Sequence, residues 1–222
     1  MRVKVRTKTR SVSRKWAAAA RAGYPAAVRL DASSPQVRSA RVELLADRDH
    51  YDQLVAKAVA SAKVSVWIAT ANVKDLHVEA PIGTAARARG RFVSLLETFA
   101  GFVRRGVEIR ILHASPPSRP FRASLARLPS LRAPGFEMRL CPRVHLKMVA
   151  VDGRYLYLGS ANFTGAGLGA RGEGRRNFEM GIATDDDVLL DRAQERFDAI
   201  WSGRMCKGCR MRDLCPQPLD AR

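Results

Sequence analysis

The dipeptide Asp152-Gly153 separates two alternating apolar stretches, MVAV and RYLYLG. Aspartate-glycine between such stretches is a strong hairpin signal, because both residues tolerate the backbone that a two-residue reversal demands. Residues 145–151 and 155–158 are therefore predicted to run as adjacent antiparallel strands. An isolated hairpin is marginal in water, so this one needs a larger sheet. Further strands are predicted at 42–45, 63–71 (KVSVWIATA), 107–113 (VEIRILH), 136–141 and 177–183. Helical spacing of Leu54, Val55, Ala58 and Val59 predicts a helix that Asp47 or Asp49 caps and that runs to about 62. A second helix is predicted over 92–105, closed by Gly106, and a third over 185–201, with three aspartates at its positive end. Residues 75–91 read as a loop, and 115–134 as a surface loop with a short helix. Strands alternating with helices predict an α/β domain, a mixed β-sheet flanked by helices.

The chain of 222 residues is 46% hydrophobic, enough to bury a real core. Its apolar stretches, such as 64–71, fall short of the roughly 18 residues that a membrane-spanning helix needs. No uninterrupted apolar segment follows the basic N-terminus, so a soluble cytoplasmic protein without a secretory signal is expected. The formal net charge is +18, with arginine well ahead of lysine. Such a field attracts polyanions, nucleic acid first and an anionic membrane surface second, and guanidinium groups grip two phosphate oxygens at once. Three regions are expected: a basic arm over 1–37, a folded domain over 38–203 and a cysteine-rich extension over 204–222. The arm has no acidic residue from Met1 to Leu30. It either orders on a polyanion or is a tail without a role of its own.

The hairpin brings chemistry together. Period-two alternation puts His145 and Lys147 on one face, and the return strand delivers Ser160 and Asn162 to the same end of the sheet. An imidazole, an ammonium, a hydroxyl and a carboxamide facing one point suit a phosphate group. The ammonium neutralises charge, the hydroxyl and amide donate hydrogen bonds, and the imidazole can attack phosphorus.

His145, Lys147, Asp152, Gly159, Ser160 and Asn162 fill the spacing H-x-K, four residues, D, six residues, G-S-x-N. That pattern resembles the signature of the phospholipase D superfamily, and Asn177 and Glu179 in RRNFEMGI resemble its Asn-x-Glu strand. The resemblance implies that two such motifs meet at one active site. One histidine attacks phosphorus to form a phosphohistidine, the other protonates the leaving oxygen and then activates water, and no metal is needed. It implies that His145 is nucleophile or acid, that Lys147 and Asn162 hold the phosphate, and that Ser160 assists. Glu179 would support the imidazole, and Asp152 would be more structural than catalytic. This chain carries one motif, since His50, His77 and His113 lack a lysine two positions on. A complete site then requires a homodimer with the site on its twofold axis. Two chemically identical histidines must act differently, so a bell-shaped pH dependence that survives chelators is expected. The charge and the resemblance to short bacterial nucleases of the group favour DNA or RNA as substrate. Phospholipid cleavage or phosphatidyl transfer, and a non-catalytic nucleic-acid-binding role, are the alternatives. Arg87, Arg89 and Arg91, with Arg119, Arg122, Arg127 and Arg132, either line a groove for a phosphate backbone or form an ordinary solvated surface.

Cys206, Cys209 and Cys215 form C-x2-C-x5-C, with Cys141 as a remote fourth. The spacing is similar to the cysteine clasp of RecB-like nucleases that carry an iron–sulfur cluster, although the fold predicted here differs. A structural [4Fe-4S] cluster or a Zn2+ ion on the four thiolates is expected, against the alternative of incidental reduced cysteines. Gly167, Gly169 and Gly172 fit G-x-G-x-x-G but lack the preceding strand and following helix of a dinucleotide site. Asp185, Asp186 and Asp187 are read as a helix start, because consecutive carboxylates do not face one point.

Overall fold

The computed structural model describes residues 37–80 and 83–221. The described residues from Ala40 onward form one compact unit. The predicted basic arm thus lies, but for its last residue, outside the described residues.

The main sheet contains β1 (Glu43–Ala46), β2 (Ser65–Thr70), β5 (Glu108–His113), β6 (Phe136–Leu140), β7 (Met148–Val151), β8 (Tyr155–Gly159) and β9 (Met180–Thr184). Two short strands, β3 (His77–Glu79) and β4 (Phe92–Ser94), pair separately. The strand order is β1-β9-β8-β7-β2-β5-β6. β2, β5 and β6 are parallel to one another, whereas β7, β8, β9 and β1 each run antiparallel to their neighbours. The mixed sheet is therefore as expected. Helix α1 (His50–Ala58) has the wide π form, and α2 (Ala85–Ala88), α3 (Leu95–Arg104), α4 (Arg119–Ala126) and α5 (Asp187–Trp201) are α-helices.

Alternation along each strand divides the core in two. Val66, Ile68, Ile109, Ile111, Val149 and Val151 face Leu54, Val55 and Phe99 of α1 and α3. Ala69, Leu112, Met148, Ala150 and Leu156 face Leu190, Phe197 and Trp201 of α5. Each central strand is thus buried on both faces, which explains its near-continuous apolar run. Among the described residues no helix is long and apolar enough to cross a membrane.

Several boundaries differ from the sequence reading. The helix predicted from 92 begins at Leu95, because Ser94 Oγ accepts the Leu96 amide at 3.2 Å and Ser94 itself ends the strand paired with β3. Residues 75–91, read as a loop, contain β3 and α2. The strand predicted from 145 begins at Met148, opposite Ala69, where the pairing with β2 ends. The strand predicted from 177 begins at Met180, because the turn residue Asp47 takes over both backbone groups of Glu179. Asp49 stands before α1 but accepts the Ala46 amide at 3.0 Å instead of capping the helix. Asp186 does cap α5, accepting the Leu189 amide at 2.9 Å.

Candidate active site

The hairpin closes as predicted. Asp152 and Gly153 both have positive φ, 54° and 63°, and the Arg154 amide closes the turn on the Val151 carbonyl at 3.0 Å, although the register leaves three residues between the strands rather than two. From the turn the two strands run together, Val151 opposite Tyr155 and Met148 opposite Leu158. The ladder ends with the Gly159 amide donating to the Lys147 carbonyl at 3.1 Å. Ser160 therefore leaves the sheet directly beside Lys147. The conjunction of the motif's ends at one end of the sheet follows from the turn and the register alone.

His145 is exposed and Lys147 half-buried. Lys147 Nζ lies 3.0 Å from both ring nitrogens of His145 and donates to its backbone carbonyl at 3.0 Å. Although the segment before Met148 is outside the sheet, the two side chains still stand on one side. Burial pushes the Lys147 ammonium below its ordinary value, and the Glu179 carboxylate pushes it partly back.

Asn162 is held from behind. Its Oδ1 accepts from Thr70 Oγ1 at 3.2 Å, from the Ala71 amide at 3.2 Å and from the Asn72 amide at 3.3 Å. Its carbonyl is thus committed to the end of β2, and Nδ2 carries the donors it has to offer. Thr70 also accepts the Phe163 amide at 2.9 Å, which ties the Asn162 loop to β2. Gly167 packs so closely on the Asn162 carbonyl that a Cβ there would stand 2.6 Å from it. The glycine-rich loop is thus a packing element behind the asparagine.

Ser160 and Glu179 are bonded to each other. The serine hydroxyl donates to Glu179 Oε2 and accepts the Met180 amide at 3.0 Å. Glu179 Oε1 accepts from Asn177 Nδ2 at 3.0 Å. Within one chain the serine's proton goes to the carboxylate, and the carboxylate's hydrogen bonds go to Ser160 and Asn177. The physical reason is the β8–β9 ladder, which sets Ser160 against Met180 and so beside Glu179.

Asp152 stands at the opposite end of the hairpin. Its carboxylate accepts the amides of Lys63, Val64 and Ser65 at 2.9, 2.7 and 2.8 Å. Burial pushes the carboxyl up, but these three donors together hold it below its ordinary value. It clamps the entry to β2.

Two supporting residues escaped the sequence reading. Thr70 was read only as strand; its signal is its position at the carboxyl end of a parallel strand, where α/β sheets gather function. Asp47 was read only as a helix cap. Its φ of 45° turns the chain so that its Oδ1 accepts the Glu179 amide at 2.9 Å. Of the other histidines, His113 is buried beside Thr70 at the end of β5, and burial pushes it below its ordinary value while its bond to the Ser115 carbonyl opposes that. His50 is fully buried against the Tyr157 ring.

The seven arginines at 87, 89, 91, 119, 122, 127 and 132 are all exposed. Arg87 is paired with Glu79, whereas Arg119 and Arg122 open α4. That helix follows from the loop whose Ala71 and Asn72 amides hold Asn162, through the bond from the Ser118 amide to the Val73 carbonyl at 3.1 Å. The four cysteines are all free thiols lining one cavity of about 80 Å3 beneath α5. Among the described residues no group of three or more histidine, cysteine or acidic side chains is placed so that it could hold a metal ion.

A family model described as "Cardiolipin synthase, PLD-like domain" matches residues 55–201, more than half of the chain. Among solved structures the fold is similar to NucT from Helicobacter pylori, with a TM-score of 0.51 and 17% identity over 72% of this chain and 94% of that one. It is similar as well to Nuc from Salmonella typhimurium, a phospholipase D family member, with a TM-score of 0.50 and 20% identity over 74% of this chain and 95% of that one. At such identities these likenesses concern the fold. No curated protein matches the chain.

Proposed function

The chain belongs to the phospholipase D superfamily, and from that premise we propose that it is a metal-independent phosphodiesterase that cleaves DNA or RNA as a homodimer in the cytoplasm. The observation that carries the reading is the gathering of His145, Lys147 and Asn162 at one end of the central strands, with Asn162 and Glu179 each braced by backbone and side-chain bonds.

In this mechanism a backbone phosphate sits between Lys147 and Asn162 Nδ2 of two copies. One His145 nitrogen attacks phosphorus, forming a P–N bond as the P–O bond to the leaving nucleoside breaks. The partner's His145 gives its proton to that oxygen. It then takes a proton from water, whose oxygen attacks phosphorus and expels the first imidazole. Lys147 and Asn162 stabilise the charge that gathers on the equatorial oxygens. Ser160 assists by fixing Glu179, which faces the Lys147 ammonium, and Asp152 holds the hairpin in register.

Support for the dimer comes from bare apolar side chains at the β1–β9 edge of the sheet. Phe178, between Asn177 and Glu179, is 96% exposed, and Met180 and Leu44 on β9 and β1 are 60% and 62% exposed. Such side chains form the kind of surface that a second copy covers. Support for nucleic acid comes from the charge of +18 and from Arg119 and Arg122 on the helix that begins beside the Asn162 loop. The description of the matching family keeps phosphatidyl transfer as the second reading. Labelled DNA, labelled RNA and anionic phospholipid vesicles, each incubated with the wild type and with His145→Ala in the presence of a chelator, separate the two. Cleavage of a nucleic acid by the wild type alone is expected, with the variant slower by at least about 10³-fold. Turnover of the lipid alone would replace the proposal with the second reading. Activity that His145→Ala retains would remove the site.

A further inference from the structure

The segment 204–221 has one fully buried side chain, Leu219, and no helix longer than a single turn. A stretch so poor in buried apolar surface holds a fixed shape only with a staple of another kind. Its ends are tied. Asp220 accepts two bonds from Arg212, at 2.8 and 2.6 Å, and the backbone of Leu219 and Asp220 packs on Gly203, where a Cβ would stand 2.5 Å from the Asp220 nitrogen. Between those ties Cys206, Cys209 and Cys215 are half-buried while most of their neighbours are exposed. All three line one cavity with Cys141, which the core supplies from the end of β6.

The cavity has the chemistry of a thiophilic centre. Its other walls include Val144, Ile200 and Leu219, and three arginines, Arg143, Arg196 and Arg212, line it as well. Arg143 is hydrogen-bonded to the Cys209 thiol, and Arg212 lies within electrostatic reach of Cys206 and Cys209. A tetrathiolate centre carries net negative charge in a partly apolar site, which such guanidinium groups balance. Size separates the candidate occupants. A single zinc ion bonded at about 2.3 Å draws four sulfurs into one tight shell with no room for a water molecule. Among the described residues no three of these side chains stand close enough to hold such an ion, whereas the irons and sulfides of a cluster span the wider space between four thiolates.

We infer that Cys141, Cys206, Cys209 and Cys215 are the ligands of a polynuclear iron–sulfur cluster that staples the C-terminal segment to the core. The cluster is structural. The Cys141 amide donates to the His113 carbonyl at 2.9 Å, and its own carbonyl accepts the Val144 amide at 2.9 Å, one residue before His145. A cluster on Cys141 therefore braces the turn that leads out of β6 into the candidate active site.

The experiment is metal and sulfide analysis of the full chain, purified without oxygen, with its absorption spectrum recorded, before and after reconstitution with ferrous iron and sulfide. Iron and acid-labile sulfide at about four each per chain, with a broad band near about 400 nm, are expected. Cys209→Ser and Cys215→Ser should each lose most of the iron and the band, whereas Lys207→Ser, in the same segment but outside the cavity, should keep both. About one zinc per chain without colour would overturn the cluster in favour of a mononuclear site. Four titratable thiols without metal after reconstitution would overturn the centre altogether. Both measurements are made on the wild type, so they decide the question even if a cysteine variant fails to fold.

Discussion

Thr70 illustrates how little of a site lies in the groups that meet substrate. Its hydroxyl touches Asn162 at 3.2 Å and the Phe163 amide at 2.9 Å, and so sets where the carboxamide stands. Thr70→Val keeps the shape and removes both bonds, together with the one that the hydroxyl shares with the Asn72 carbonyl at 2.9 Å. A misplaced binding group slows turnover steeply, so kcat is expected to fall by about 10- to 100-fold while the thermal midpoint changes little. A fall in midpoint with kcat unchanged would make Thr70 a fold residue only. Asp152 is the opposite case, a motif residue whose work is structural. Replacing it with asparagine removes the charge that three amides share and should cost about 1–3 kcal/mol, read by urea unfolding at neutral pH. The sign of its pH dependence follows from the lowered carboxyl. Its contribution is complete above the unfolded value of about 3.9 and is lost as the pH falls through the folded one. The gap between wild type and Asp152→Asn should therefore narrow on acidification, and a gap that widened would contradict the clamp.

At the scale of elements, β8 and β9 meet unusually closely at Gly159 and Gly181, which are paired across the ladder. The Tyr157 ring fills the space that a side chain on either would need. That packing lets Ser160 sit against Met180 and Glu179. Gly181→Ala should cost about 1–3 kcal/mol through overpacking and reduce activity beyond what stability explains, because it moves Glu179. Chemical denaturation with activity measured well below the midpoint tests both. Sequence patterning anticipated these elements well where local rules decide. The Asp152-Gly153 turn, the strand runs and the aspartate start of α5 all have signals within a few residues. Patterning anticipated less where a tertiary partner decides. Nothing local says that Ser94 ends a strand and caps a helix, or that Asp47 displaces the first residues of β9. The same divide runs through the site. His145, Lys147 and Asn162 were readable because spacing and one turn bring them together. The Ser160–Glu179 bond was not, because it depends on the ladder register between two strands separated by the glycine-rich loop.

At the scale of the whole molecule the question is whether one chain holds a working site. His145 is exposed at one end of the sheet, and each chain brings one such imidazole. If two are needed across one phosphate, activity belongs to pairs of chains. Co-expressing the wild type with His145→Ala, so that the copies pair at random, then gives mixed dimers lacking either the nucleophile or the acid. Activity per total protein should fall as the square of the wild-type fraction, because only wild-type pairs keep both histidines. A linear fall would mean that one chain suffices. Phe178→Asp is the companion measurement. A charge on that surface should shift the sedimentation profile towards the monomer and remove activity in parallel, whereas a monomer that kept full activity would overturn the shared site even if the wild type dimerises through another face.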